Sequence, residues 1–217
     1  MMGITRPSLQ LALIVLCVSL GAGCLVGRVW MVDYSFDSTA LRVHASEEIA
    51  LATSQVGDEV DLLATDERAR FAFRVAPGRI QVSVENRGPE PLSLNFADAA
   101  YVDANRKTHG LHVFVDDALL QDPAMEVLPD ATMQFSLWPK DWSHGWHDGR
   151  PAIWRGDSPL GGTTIEGTSR EKALANRRED VGKSFEIVLP LGTRHERTVY
   201  RFQFTVLGLV ARRTSWA

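Results

Sequence analysis

The chain has 217 residues, 45% of them hydrophobic and 23% charged, which suits one globular domain with a sizeable core. Its formal net charge of −4 is the wrong sign for a polyanion-binding surface, so nucleic acid is excluded as an expected partner. The two cysteines, Cys17 and Cys24, both lie within the first 24 residues, so thiol redox chemistry, a cysteine nucleophile and Cys-ligated zinc are excluded for everything downstream.

Met1 to Ser8 carries one base, Arg6, and no acid, and Leu9 to Gly23 is apolar apart from Gln10 and Ser19. A run of roughly 15 residues suits a signal-peptide core and falls short of the ~20 that span a bilayer. It ends in Gly21, Ala22 and Gly23, small residues that let a peptidase hold the chain extended, and then Cys24. This "LGAGC" resembles the lipobox of bacterial lipoproteins, with Leu20 four positions before the cysteine. The resemblance implies a signal peptide over residues 1–23, cut just before a Cys24 whose thiol carries diacylglycerol. Several acyl chains on one cysteine hold a protein firmly, because a single chain binds only marginally. Leu25, rather than Asp, follows the cysteine. By the same resemblance this implies an outer-membrane lipoprotein facing the periplasm, in a host with two membranes. Two alternatives stay open: an ordinary secreted periplasmic protein, and an uncleaved N-terminal anchor lengthened by "LVGRVWM" across Arg28. Removing the first 23 of the 217 residues leaves 194, and losing Arg6 takes the charge to about −5.

Residues 24–45 read as the lipidated cysteine and a tether, with an early strand in "DSTALRV"; residues 46–217 read as a single β-sandwich domain. No period dominates from 47 to 66. Strand signals start at "FAFRVA", followed by the turn "PGR" and then "IQVSVEN", where Ile80, Val82 and Val84 alternate with polar residues. Such period-2 alternation predicts one buried and one wet face. "NRGPEP" is rich in turn formers, and "LSLNF" resumes a strand, so the pair predicts a hairpin. Further strands are predicted at "AYV", up to Val115, at "TMQFSLWP", at "SFEIVLPL" and at "TVYRFQFTV", the last two joined by the polar turn "GTRHER". Ser169 to Asp180 has helix formers but little apolar face and predicts a loop with a short helix. About seven short strands separated by turns predict an all-β, antiparallel sandwich.

The pattern Val84 to Pro91, Val102-Asp103 and Gly110, together with "IVLPL" (Ile187 to Leu191) and "YRFQFTV" (Tyr200 to Val206), resembles a loose group of uncharacterised bacterial lipoproteins. The resemblance covers roughly residues 70 to 207. It implies an immunoglobulin-like β-sandwich and carries over no functional residue except the lipidated cysteine.

The most unusual stretch is "LWPKDWSHGWHDGRPAIW", Leu137 to Trp154, with four of the six tryptophans. Trp138, Trp142, Trp146 and Trp154 either cap one end of the sandwich as buried indoles or, with Arg150 and Arg155, form a binding surface for an envelope protein or a glycan. His144 and His147, spaced by three and flanked by Asp141 and Asp148, could converge on one metal ion if they lie in a loop. His109 and His112 have the same spacing on a predicted strand, where they point to opposite faces. No G-x-S-x-G elbow or phosphate-binding loop is present. Asp116-Asp117 reads as a solvated surface pair. The expectation is therefore a non-catalytic, lipid-anchored binding or scaffolding module of the envelope, with no cofactor and the membrane as partner through its anchor. The enzymatic alternative is a metal-dependent envelope hydrolase using His144 and His147.

Overall fold

The computed structural model describes residues 28–44, 47–56, 60–76, 79–140, 143–147, 150–155 and 169–215. Cys24 and the rest of the expected signal segment lie outside them. The strands are β1 (Arg28–His44), β2 (Glu47–Ala50), β3 (Ala52–Val56), β4 (Val60–Thr65), β5 (Ala69–Ala76), β6 (Arg79–Asn86), β7 (Leu92–Asn95), β8 (Ala100–Val102), β9 (Thr108–Val115), β10 (Ala118–Leu119), β11 (Ala124–Val127), β12 (Thr132–Pro139), β13 (Ser143–His147), β14 (Arg150–Arg155), β15 (Ser184–Gly192) and β16 (Arg197–Ser215). One helix, α1 (Arg170–Arg177), continues into a 3-10 turn over Arg178–Asp180.

Every pairing among these strands is antiparallel. The main path runs β2-β1-β16-β15-β8-β9-β12-β6-β5-β4-β3, and β13 and β14 form a separate hairpin. Two places bend this path round on itself. Thr108 to Gly110 of β9 pair with β8, whereas Leu111 to Phe114 pair with β12. Likewise β2 pairs with β1 and β3 with β4, and only Leu51 lies between β2 and β3. Leu51 donates its N–H to the Ala40 carbonyl at 3.0 Å, and the Ser38 hydroxyl reaches the Asp61 carbonyl at 3.2 Å. One kinked segment therefore ties the two ends of the sheet together, and the result is nearly a barrel.

The expected all-β, antiparallel class is what the chain forms. The pairings fall into two halves that share β9 and are joined again through the β2–β3 segment, which gives the nearly barrel-shaped sheet. The hairpin expected between "IQVSVEN" and "LSLNF" does not form: β6 pairs with β5 and β12, while β7 pairs with β11 and β15. Asn86 explains why. Fully buried, its side-chain amide donates to the carbonyls of Glu90 and Val127, both at 2.8 Å, and its side-chain oxygen accepts from Gly88 N–H at 2.9 Å. These bonds turn the chain out of one half of the barrel and into the other. The early strand expected in "DSTALRV" is present but extends from Arg28 to His44, so most of the segment expected as a tether is paired along β16, from Arg28 opposite Ser215 to Val43 opposite Val199.

The alternating runs fill the barrel. Ile80, Val82 and Val84 of β6 and Tyr200, Phe202, Phe204 and Val206 of β16 are all buried. Their rings meet those of β5 across the interior: Phe73 and Phe202 have centroids 4.4 Å apart, Phe71 and Tyr200 4.7 Å, and Phe73 and Phe204 5.6 Å. Phe36 and Phe185 continue the column against Phe204 at 5.9 and 5.0 Å. Burying one such ring is worth about 1.5–3 kcal/mol, with up to ~1.5 more from ring–ring contact.

The two open ends of the barrel are closed differently. At the end reached by Val206 and Phe36, α1 packs across β16 and β1. Ser169 caps it by accepting from Lys172 N–H at 3.2 Å, and Ala173 is its buried residue. Below it, the buried Asp180 carboxylate accepts from the Tyr34 hydroxyl and the Lys183 ammonium, both at 2.9 Å. Gly182 then takes φ +87 and donates to the Val206 carbonyl at 2.8 Å, a left-handed backbone that glycine adopts without penalty.

Candidate functional site

The tryptophan-rich stretch is a hairpin rather than a loop. In β13 and β14, His144 stands opposite Trp154, Trp146 opposite Pro151, and His147 opposite Arg150. The side chains of His144, Trp146, His147, Arg150, Trp154 and Arg155 lie outside the described residues, as does Trp142 altogether. Trp138 is described: on β12, 5% exposed, its ring lies 4.6 Å from that of Phe114. That indole packs; it offers no face to a ligand. Among the described residues, no group of three or more His, Cys, Asp or Glu is arranged to hold a metal ion.

The other histidine pair follows the strand rule. His109 is buried on β9 and His112 is half-buried on the opposite face. His109 Nε2 lies 3.0 Å from Asp103 Oδ2, while Asp103 Oδ1 accepts the N–H groups of Asn105 and Lys107, both at 2.9 Å. Burial pushes the Asp103 carboxyl up, but the His109 contact and the two N–H donors outweigh it and hold the group below its ordinary range. An imidazole clamped this way is oriented, yet at 6% exposure it has no open approach for a substrate. It fastens the β8–β9 turn, where Arg106 takes φ 65.

The opposite end of the barrel carries the densest set of charges. Asp66, in the turn between β4 and β5, is its hub. Its Oδ1 accepts the N–H groups of Arg68 and Ala69, both at 2.8 Å, and its Oδ2 accepts the Tyr200 hydroxyl at 2.9 Å and Arg42 Nη1 at 3.1 Å. Arg42 also pairs with Glu67. Alongside, Arg68 pairs with Glu196, and His44 Nδ1 lies 3.0 Å from Glu196 Oε1, close enough for an ion pair although not aligned as a hydrogen bond. Burial, then the neighbouring Asp66 charge, push the Tyr200 hydroxyl far above its ordinary value, so it stays protonated as a donor. The Glu67 and Glu196 carboxyls are held below theirs, chiefly by Arg42 and Arg68 respectively.

Beside this network lies a cavity of about 270 Å³, walled by Arg68, Pro89, Leu92, His195 and Glu196. Arg68 and Glu196 in its walls are paired with each other, so these two offer fixed polarity rather than a poised acid or base. No spacing in the sequence joins Arg42, Asp66, Glu196 and Tyr200, so only the fold brings them together. The one local signal was "TDERAR", an Asp placed to accept backbone N–H groups two and three residues ahead.

Comparison with protein-family models, with curated proteins and with solved structures finds no significant match to the chain. Among the described residues, no helix is long and apolar enough to cross a membrane.

Proposed function

We propose that the protein is an exported, lipid-anchored component of a bacterial envelope, acting as a non-catalytic binding or scaffolding module. The observation that carries this reading is the position of "LGAGC": Cys24 stands four residues before β1 begins at Arg28. An anchor there would attach almost directly to the strand that runs along β16. The reading keeps the signal segment over residues 1–23 and the kinship with lipoproteins that the sequence pattern expresses, and it takes a nearly closed barrel in place of the immunoglobulin-like sandwich. An outer-membrane location facing the periplasm follows from Leu25 after the cysteine, in a host with two membranes. The carboxylates around Asp66 and Glu196 are all neutralised by paired arginines, which favours a rigid platform over an acid–base centre.

The test is the intact mass of the protein extracted from membranes, wild type beside Cys24→Ala. The expected result is residues 24–217 plus acyl chains for the wild type, with the addition missing in the variant. A full-length unmodified mass overturns the reading in favour of a retained anchor.

A further inference from the structure

The outward face of the β5–β6–β12 sheet holds a cleft of about 410 Å³. It is concave because short side chains alternate with long ones. The register sets Arg74 opposite Gln81, Gln81 opposite Ser136, and Ser136 opposite Phe114, in one row across four strands. The next row is Ala72, Ser83 and Gln134. Between them sit two hydroxyls and two carboxamides in a square, on strands spaced about 4.8 Å apart. Their inward neighbours Phe73, Val82 and Phe135 are buried, which fixes this face outward. The sheet uses only the backbones of Gln81, Ser83, Gln134 and Ser136; among the described residues their side chains have no hydrogen-bond partner.

The chemistry of this floor narrows the ligand. Hydroxyls and carboxamides each donate and accept, as sugar hydroxyls and acetamido groups do. Phe114, opposite Ser136, is buried against Trp138 and closes the floor at that edge without offering a ring face. The rim balances its charges, Arg74 and Arg79 against Asp116 and Asp117, with Arg79 and Asp117 3.9 Å apart. Neither a polyanion nor a free cation gains net attraction there. An extended peptide is held by adding a strand to a sheet edge, yet β5, β6 and β12 are each paired on both sides. We propose that this cleft binds a neutral oligosaccharide through Gln81, Ser83, Gln134 and Ser136. This supplies a ligand class for the binding module proposed above and rests on that reading only for where the glycan would be met.

The test is calorimetric titration of the full-length protein, held in a zwitterionic detergent without a sugar headgroup, with chitotetraose and with maltotetraose. Saturable binding of either sugar is expected. Ser136→Phe, which fills the floor, should weaken it at least tenfold, and Gln134→Ala about five- to tenfold, the loss of roughly one hydrogen bond. Circular dichroism verifies that both variants fold. No saturable binding by either sugar overturns the proposal, as does equal affinity in both folded variants, or tighter binding of tetra-alanine than of the sugars. Lipidation of Cys24 is read separately by mass, so an unmodified protein that binds sugar sinks the anchored reading and leaves the cleft standing.

Discussion

The two ends of the barrel solve one problem with different chemistry. Where β16 begins, Tyr200, Asp66, Arg42, Arg68 and Glu196 close the interior with paired charges. Where Phe204 and Val206 pass out of the core, a helix and the Asp180 cluster cover it. Between them runs a column of phenylalanines. The difference teaches which link carries the stability: the column supplies burial, whereas each end spends part of its electrostatic gain on desolvation. A charged lid fixes the geometry of turns; an apolar column holds the strands together.

That contrast can be broken in order of size. Phe202→Ala removes a ring of 0% exposure that touches both Phe71 and Phe73, and should cost about 3–5 kcal/mol in urea unfolding. Asp66→Ala leaves the Tyr200 hydroxyl and two backbone N–H groups without their acceptor and Arg42 with Glu67 alone, and should cost about 2–4 kcal/mol. If it costs more than Phe202→Ala, the charged lid outranks the column and the comparison fails.

Acid sharpens the picture at the helix-covered end, where two carboxylates are shifted in opposite directions. Asp103 is held below its ordinary range, so its contribution is present above the unfolded value near pH ~4 and is lost as pH falls through the lower folded value. Asp61 is pushed up by burial, against the Val75 N–H and Arg74, so its ionised form opposes folding and protonation relieves it. Asp103→Asn should flatten the acid limb of the stability-versus-pH curve. Asp61→Asn, which can still accept from Val75 N–H, should raise stability at neutral pH and lose that advantage in acid. Identical pH curves for both variants and wild type would sink the assignment. The smallest effect concerns the β9–β10 turn: Asp116 and Asp117 take φ 49 and 61 between the paired Val115 and Ala118, the pattern of a two-residue hairpin turn that favours glycine at its second position. Asp117→Gly should raise the unfolding free energy by roughly 0.5–1 kcal/mol.

What the sequence made legible follows from alternation. β5, β6 and the Thr198–Val206 part of β16 each bury one alternating face, β12 buries its second half and β15 is buried on both faces; each strand was expected near its observed position. The β2–β4 region was not, because β2 is exposed at all four residues and Ala52 to Ser54 of β3 are exposed as well; these strands exist through their partners, not their own pattern. The missed β6–β7 crossing turns on Asn86, whose buried side chain looks from sequence like one more turn former. The charged lid was invisible because its members come from β1, the β4–β5 turn, the β15–β16 turn and β16. The glycan expectation was placed on the indoles, while the described indole of Trp138 is packed away and the polar cleft lies on a neighbouring face made of serines and glutamines that carry no motif.

The pairing of Arg28 with Ser215 has a consequence for how the chain could be rewired. Adjacent strands lie about 4.8 Å apart, so a linker of a few residues could join those two positions without disturbing the sheet. New ends opened in the exposed turn at Arg194 and His195 would leave both β15 and β16 paired with their remaining neighbours. A circular permutant of this kind would carry a fused reporter at the charged end of the barrel, beside His44 at the end of β1 and at the opposite end of that strand from Arg28.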